Sequence, residues 1–236
     1  MPESPADDGA VRFARTVLGD TVVLDRPARR NALTLAMWQD LATLLREHGD
    51  DTSGPLYLLG ADGYFCSGAD LGALAHARSD AQRSRTFVHA VVESLLTIHT
   101  VEREVVAVIE NGAAGGGVEI MAACDRRVAI GTPTLVFPFG HHGMTLDDFT
   151  RWGLHRLVGD AEAERLVDGR HVVPFEEARD LGLFDEQQDS LQTLERSDTA
   201  RSGRTPAAGY LREDESLAEA IERAASPMLA AFVQDG

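Results

Sequence analysis

The chain contains no lysine: all 22 of its basic residues are arginine, a usage typical of GC-rich bacterial coding. This absence excludes chemistry that needs a lysine amine, such as Schiff-base catalysis. Positive charge is scarce overall, because 38 acidic residues leave a formal net charge of −16. Nucleic acids and anionic membranes are bound through basic patches, so we exclude both as partners. A small anionic ligand held by a local group of arginines remains compatible with this charge.

Cysteine and long apolar runs are also scarce. The two cysteines, Cys66 and Cys124, lie among apolar residues, as is typical of small core side chains in a reducing cytoplasm. No apolar run approaches the roughly 20 residues of a membrane-spanning helix, and the acidic start, MPESPADDG, does not resemble a signal peptide. We therefore expect a cytoplasmic protein. Its 236 residues, 44% of them hydrophobic, allow one substantial core.

Strand and helix signals alternate along the chain, which predicts an α/β fold with parallel crossovers. Residues 1–9 are expected to form a disordered acidic tail, and residues 10–186 the folded core. Residues 187–236 are expected to form a polar loop and then an amphipathic helix over 217–232, which Pro227 should kink. Inside the core the patterns predict a hairpin (11–15 and 21–24), helices over 34–49, 73–100 and 154–158, a helical pair in 161–182, and strands over 55–59, 105–109, 127–130 and 134–137.

The stretch NGAAGGGVEIMAACD (residues 111–125) is the most informative part of the chain. It follows an apolar strand pattern, and its glycines allow a tight turn and a close backbone approach to a ligand. A helix that begins near Gly116 would direct free N–H groups and its positive dipole end at that ligand. A developing negative oxygen fits such a position, with Glu119 nearby as a base. Taken alone, the pattern fits equally well a strand-to-helix crossover with an incidental glutamate.

Four stretches in the same order resemble the enoyl-CoA hydratase/isomerase (crotonase) superfamily. They are DRPARRNAL (25–33), YFCSGADL (64–71), ENGAAGGGVEIMAACDRRVA (110–129) and RLVGDAEAERLVDGRHVVPFEEARDLGL (156–183). The resemblance implies a ββα spiral core with a C-terminal helical region, and assembly into trimers or paired trimers. It also implies an acyl-CoA or carrier-bound thioester substrate, whose enolate an oxyanion hole stabilises. Coenzyme A would enter only as part of the substrate, and no other cofactor is expected.

The resemblance also implies roles for individual residues. The N–H donors of the oxyanion hole would be Ala69 and Gly116, two small residues in turns where the backbone can reach an oxygen. Contacts to CoA, many of them through the backbone, would come from Ala28, Arg29, Arg30, Ser67, Asp70 and Leu71. The two arginines could bind the CoA phosphates, but each fits equally well as a solvated surface residue.

One position departs from the family pattern in a way that affects the chemistry. Hydratases of the family use two glutamates, and Glu119 matches the first, whereas Phe139 stands at the position of the second and cannot titrate. Asp147 is the nearest replacement. A carboxylate matches this position in the family's dienoyl-CoA isomerases. The sequence TLDD around Asp147 is equally typical of a helix N-cap, so proton transfer and capping both remain open.

Three further side chains complete the candidate site. His141 or His142 could relay a proton, because histidine titrates near neutral pH, although adjacent histidines in a loop are more often surface or packing residues. Trp152 is assigned with Phe139 to the substrate pocket, with core packing as the alternative. No carboxylate or cysteine stands at metal-ligand spacing from the histidines, so we expect no metal site.

Three functions follow as hypotheses. The first is double-bond isomerisation or hydration/dehydration of an acyl thioester, with Glu119 as acid and base. The second is C–C bond chemistry in the same oxyanion hole, such as decarboxylation, retro-Claisen cleavage or cyclisation, which an apolar Phe139 would favour. The third is a thioester-binding subunit without catalytic activity, because half of the usual carboxylate pair is missing.

Overall fold

A computed structural model describes residues 9–50, 54–140, 145–169, 171–194 and 209–234 of the chain. Residues 1–8 of the predicted acidic tail lie outside these ranges, as do His141 and His142. The strands are β1 (Ala10–Thr16), β2 (Gly19–Asp25), β3 (Leu56–Gly60), β4 (Val105–Ala114), β5 (Arg126–Phe137), β6 (His171–Val173) and β7 (Glu186–Gln188). The helices are α1 (Leu35–His48), α2 (Leu71–Ala77), α3 (Ala81–Thr100), α4 (Gly116–Ala123), α5 (Asp148–Val158), α6 (Asp160–Val167), α7 (Phe175–Asp180) and α8 (Leu217–Gln234).

The described strands form one mixed sheet in the order β1-β2-β3-β4-β5-β6, with β7 also paired to β5. β1 and β2 make the predicted antiparallel hairpin. β2, β3, β4 and β5 are parallel neighbours, joined by helical crossovers. The predicted α/β class with parallel crossovers is confirmed.

The sheet buries both of its faces, because alternate side chains of a strand point to opposite sides. In β4, Val105, Ala107 and Ile109 belong to the main core, whereas Val106 and Val108 belong to a smaller cluster on the other face. The main core also contains the buried faces of α1 and α3.

Two predicted elements differ in extent from those observed. The strands predicted over 127–130 and 134–137 are one strand, β5. Gly131 has a positive φ of 66°, but the register of β5 against β4 shifts between Glu110 and Gly112, so the pairing continues past it. The helix predicted over 73–100 is two helices. Asp80 starts the second one by accepting a hydrogen bond from the backbone N–H of Arg83 at 2.9 Å.

The polar stretch 185–216 contributes more to the fold than its composition predicts. Residues 195–208 lie outside the described ranges. On either side of them, β7 pairs with β5, Leu194 is buried against the second face of the sheet, and Tyr210 is buried in the main core. The prediction of a loop with few core residues was therefore wrong at these positions, because single apolar residues in a polar sequence carry no periodic signal.

The C-terminal helix α8 packs on α3 of its own chain. The rings of Phe87 and Phe232 lie 6.5 Å apart, and Ala224, Ala225 and Met228 are buried. α8 continues through Pro227 as one helix. The helix therefore covers the core of its own chain. From the sequence alone, packing on a neighbouring subunit was equally compatible.

Within the described ranges, no helix combines the length and the apolar content that a membrane span requires. The same ranges hold no group of three or more histidine, cysteine, aspartate or glutamate side chains placed to bind a metal ion.

Candidate active site

The two glycine-rich turns predicted to cooperate lie against each other. An isolated parallel bridge joins Cys66 to Ala113, and the backbone N–H of Ala114 donates to the carbonyl of Cys66 at 2.9 Å. Gly68 has a φ of +96°, and a Cβ at this position would lie 2.8 Å from the carbonyl oxygen of Ala114 and 3.0 Å from the backbone nitrogen of Gly116. Glycine is therefore required at residue 68, both for its conformation and for the contact between the turns.

The N–H groups of Ala69 and Gly116 project from these turns without an internal partner. The neighbouring N–H groups are used: Asp70 donates to the carbonyl of Leu33 at 2.8 Å, and Gly115 donates to that of Val136 at 3.1 Å. The N–H groups of Ala69 and Gly116 make no hydrogen bond to any described residue. Gly116 is also the first residue of α4, where N–H groups have no intrahelical acceptor. Two unused donors beside one cavity are what an oxyanion hole requires.

A cavity of about 580 Å³ opens beside both turns. Its walls come from the turns themselves, from α2, α3 and α8, and from the residues that follow β5. Most of the lining is apolar, and it includes Phe139, as predicted from the sequence. Among the described residues only two charged side chains line the cavity, Glu119 and Arg78.

Glu119 stands on the first turn of α4 with only 6% of its surface exposed. Burial and, as the smaller cause, the neighbouring carboxylate of Asp147 together raise the pKa of its carboxyl group to about 8. A carboxyl group with such a pKa exchanges a proton near neutral pH. It therefore has the properties of a general acid and base.

Asp147 is fully buried and does not line the cavity. One of its oxygens caps α5 by accepting a hydrogen bond from the N–H of Thr150 at 2.9 Å. Its other oxygen has no partner among the described residues. Burial raises the pKa of Asp147 to about 6, against the hydrogen bonds from Thr150. The geometry confirms the cap, and the carboxylate of Asp147 also raises the pKa of Glu119. A role of Asp147 in proton transfer stays a prediction.

The predicted CoA-binding residues lie together at the mouth of the cavity. Ser67 and Leu71 line it, and Leu71 is 76% exposed. Ala28, Arg29 and Arg30 belong to an exposed turn next to Ser67, whose hydroxyl donates to the carbonyl of Arg29 at 3.0 Å. Their contacts with CoA remain predictions, as does the role of His141, which lies outside the described residues.

Asp70 has a structural use that the sequence did not predict. Its carboxylate pairs with the guanidinium of Arg26 at 2.8 Å and caps α2 by accepting the N–H of Ala73 at 2.9 Å. The side chain is therefore engaged within the protein. Its backbone is also used: the N–H donates to the carbonyl of Leu33 at 2.8 Å and the carbonyl accepts the N–H of Leu74 at 2.9 Å, so its contact with CoA stays a prediction.

Trp152 does not line the cavity, so its assignment to the substrate pocket is corrected. Its ring packs 5.7 Å from Phe149 and 5.3 Å from Tyr210, and the guanidinium of Arg156 stacks on it at 4.7 Å. The reason is that Tyr210, from the stretch predicted to be a loop, completes an aromatic cluster on α5. Core packing was the alternative considered for this residue, and it is the one observed.

Two cavity residues escaped the sequence reasoning. Trp38 of α1 lies against the second turn, where a Cβ on Gly116 would approach its ring to 2.9 Å. Arg78 follows α2 in a segment with no motif. Neither carries a local signal, because their positions depend on how α1 and α2 pack on the turns.

Asn31 also escaped the sequence reasoning; it does not line the cavity, but it holds the backbone before the first turn in place. It is fully buried with a φ of +56°, a conformation that asparagine tolerates better than most residues. Its side-chain oxygen accepts the N–H of Arg26 at 2.9 Å, and its amide donates to the carbonyls of Ala61 (2.9 Å) and Tyr64 (2.6 Å). One amide thus joins the loop around residues 26–31 to the turn at residues 61–64.

We expect Asn31→Ala to lower the free energy of unfolding by about 2–4 kcal/mol, because one buried and two partly buried backbone groups lose their partners. Chemical denaturation measures this change. Asn111→Ala is the matched control: Asn111 also has a positive φ, of 54°, but its amide makes one exposed hydrogen bond to Gly63. Equal losses in the two variants would contradict the special role of Asn31.

Comparison with known proteins places this site in a family. Residues 20–226 match the sequence profile described as enoyl-CoA hydratase/isomerase. The chain belongs to the enoyl-CoA hydratase/isomerase family. A Mycobacterium tuberculosis member named probable enoyl-CoA hydratase is 29% identical over 163 residues, which cover 69% of this chain and 64% of that protein. The ethylmalonyl-CoA decarboxylase of Xenopus laevis is 32% identical over 188 residues, covering 77% of this chain and 58% of that protein.

Solved structures of the family share the fold. The crystal structure of the enoyl-CoA hydratase from Bacillus halodurans matches with a TM-score of 0.77 at 26% identity, covering 95% of this chain and 96% of that one. The predicted crotonase-like fold is confirmed. The chain spans only 64% and 58% of the length of the two curated relatives from Mycobacterium tuberculosis and Xenopus laevis.

Proposed function

We propose that this family member is an enzyme that acts on an acyl-CoA, or on a carrier-bound acyl thioester, through a stabilised enolate. The observation that carries the proposal is the convergence, in one cavity, of two unused N–H groups (Ala69 and Gly116) and a buried carboxyl group with a pKa near 8 (Glu119). The donors would stabilise the thioester oxyanion, while Glu119 would remove and return the proton of the α carbon. Trimeric assembly and a cytoplasmic location belong to the same proposal.

The reaction we favour is double-bond isomerisation, with hydration/dehydration as its close relative. Moving a proton from the α to the γ carbon needs one base, and Glu119 is the only carboxylate on the described part of the cavity lining. Hydration also needs a positioned water molecule. The relatives named enoyl-CoA hydratase support it, whereas the buried phenylalanine at residue 139 offers no group to hold that water.

C–C bond chemistry is the second candidate, in particular decarboxylation. Two observations favour it: relatives named ethylmalonyl-CoA decarboxylase are 30–32% identical to the chain, and the wall at Phe139 is apolar. Loss of carbon dioxide leaves the same enolate in the oxyanion hole. An apolar wall also disfavours a carboxylate and keeps water away from the carbanion.

Exchange of the α protons of butyryl-CoA in deuterated buffer tests the core of the proposal. The enzyme should exchange these protons without consuming the thioester, because butyryl-CoA has no double bond to move and no carboxylate to lose. Mass spectrometry follows the incorporated deuterium, and isothermal calorimetry measures binding. Binding without exchange would instead support a non-catalytic thioester-binding subunit.

The rate of this exchange should depend on pH. Glu119 accepts a proton only when ionised, so kcat/KM should rise about tenfold per pH unit up to an apparent pKa near 8 and then level off. Because Asp147 raises the pKa of Glu119 electrostatically, the observed value belongs to the pair. Exchange rates between pH 5.5 and 9.5 measure the profile, and a rate that stays constant over this range, as for a base with the ordinary glutamate pKa of 4.5, would contradict a buried base.

A further inference from the structure

Arg78 places an unpaired positive charge on the wall of the cavity. It is the C-cap residue of α2, and its side chain joins no ion pair with any described carboxylate. Its Nε is buried and has no hydrogen-bond partner among those residues. Arg78 is half-buried, whereas the three arginines buried more deeply in the described ranges are paired: Arg26 with Asp70, Arg103 with Asp20 and Arg127 with Asp185.

The surroundings of Arg78 within the protein are apolar. Its guanidinium stacks over the ring of Phe232 at 5.3 Å, and the adjoining lining includes Leu74, Phe87 and Met228. Stacking on an aromatic face stabilises a guanidinium through the ring electrons. It uses the face of the group, and the buried Nε at its edge has no acceptor among the described residues. A buried cationic donor without an acceptor costs free energy.

The other charged side chain of the described lining does not compensate this cation. Glu119 has a raised pKa and is mostly protonated at neutral pH. Among the described lining residues Glu119 therefore does not balance the charge of Arg78, although the chain as a whole has a formal charge of −16. A ligand that fills the cavity with apolar atoms alone would leave Arg78 unpaired, whereas a ligand with a carboxylate would pair with it.

We propose that Arg78 binds a carboxylate carried by the acyl group, so that the substrates are thioesters of dicarboxylic acids. The inference rests on the proposed function and adds the substrate class to it. A planar guanidinium can form two parallel hydrogen bonds with a carboxylate, which fixes the orientation of the acyl chain as well as its charge. Apolar side chains around Arg78 exclude water and so strengthen this pairing.

Binding of matched thioesters tests the inference. We expect glutaryl-CoA to bind about 10- to 100-fold more tightly than its ω-methyl ester, because only the free acid offers a charged acceptor. Methylmalonyl-CoA and butyryl-CoA are compared in the same way for a carboxylate on the α carbon. The two comparisons together show which position of the carboxylate on the acyl chain the cavity accepts. Isothermal calorimetry measures the four dissociation constants.

Arg78→Met should abolish the preference for the carboxylate, and Arg78→Lys should retain part of it as a single charge. Arg156→Met is the matched control: Arg156 also stacks on an aromatic ring, that of Trp152, but lies outside the cavity. It should leave the preference unchanged. If Arg78→Met does not fold, the preference of the wild-type protein between each acid and its neutral partner decides the question.

Several outcomes would overturn the inference. Equal binding of acids and neutral partners would show that no carboxylate is recognised. An equal loss for all four thioesters in Arg78→Met would assign Arg78 to the CoA moiety common to them. Exchange of the α protons of butyryl-CoA without any carboxylate preference would contradict this inference alone. Failure of every thioester to bind would contradict the proposed function itself.

Discussion

Replacement of Glu119 by glutamine should reduce α-proton exchange by at least about 10²- to 10⁴-fold, the usual contribution of a positioned acid or base. Glutamine has nearly the shape of a protonated glutamic acid, so the cavity keeps its form. The N–H groups of Ala69 and Gly116 are untouched, and thioester binding should survive. The measurements are deuterium incorporation and calorimetric binding of butyryl-CoA by the same preparation.

The same variant should also be more stable than the wild type at alkaline pH. The pKa of Glu119 is raised from 4.5 to about 8 in the folded protein, so folding favours the protonated form. The stability from this proton is present below pH 4.5 and is lost as the pH rises towards 8. Glutamine cannot ionise. The difference in unfolding free energy between variant and wild type should therefore grow over this window, to on the order of 5 kcal/mol.

Glu176→Gln provides the control for both measurements, because Glu176 is an exposed glutamate on α7, away from the cavity. It should change neither exchange nor the pH dependence of stability. Exchange at the wild-type rate in Glu119→Gln would exclude Glu119 as the base. A stability difference that does not vary with pH would contradict its raised pKa.

The second large effect is expected from Gly68→Ala. A methyl group at residue 68 would lie 2.8 Å from the carbonyl oxygen of Ala114 and 3.0 Å from the nitrogen of Gly116, and the φ of +96° is unfavourable for alanine. The two turns must separate to accept it, which moves one N–H donor away from the other. Loss of one oxyanion donor typically costs about 10²- to 10³-fold in rate. The backbone strain should also cost about 1–3 kcal/mol of stability.

Gly131→Ala separates the effect of backbone strain from the effect of the steric clash between the two turns. Gly131 also has a positive φ, of 66°, but a Cβ there would meet nothing within 4 Å. This variant should lose about 1 kcal/mol of stability and keep the wild-type exchange rate at a temperature where both variants are folded. Equal exchange rates in the two variants would show that contact between the turns is not needed for activity.

Much of the architecture could be predicted because it depends on local patterns. The hairpin of β1 and β2, helix α1 with its Thr34 cap, and the turn from β4 into α4 all carry periodicity, capping or glycine signals in adjacent residues. The errors fall where pairing depends on distant residues. β5 runs through Gly131 because β4 shifts its register beside it, and Leu194 and Tyr210 are buried by elements far away in sequence.

For the candidate site, the sequence by itself determined the chemical components: the two glycine-rich turns, Glu119 on the first turn of a helix, and Phe139 where the family pattern has a second glutamate. These signals are local, because a turn and a helix start are encoded in a few adjacent residues. Only the tertiary structure decided how the components act. In the folded chain Asp147 raises the pKa of Glu119, Trp152 lies outside the cavity, and Arg78 lines it. Burial and charge pairing depend on packing between helices that are distant in sequence, and no local pattern encodes them.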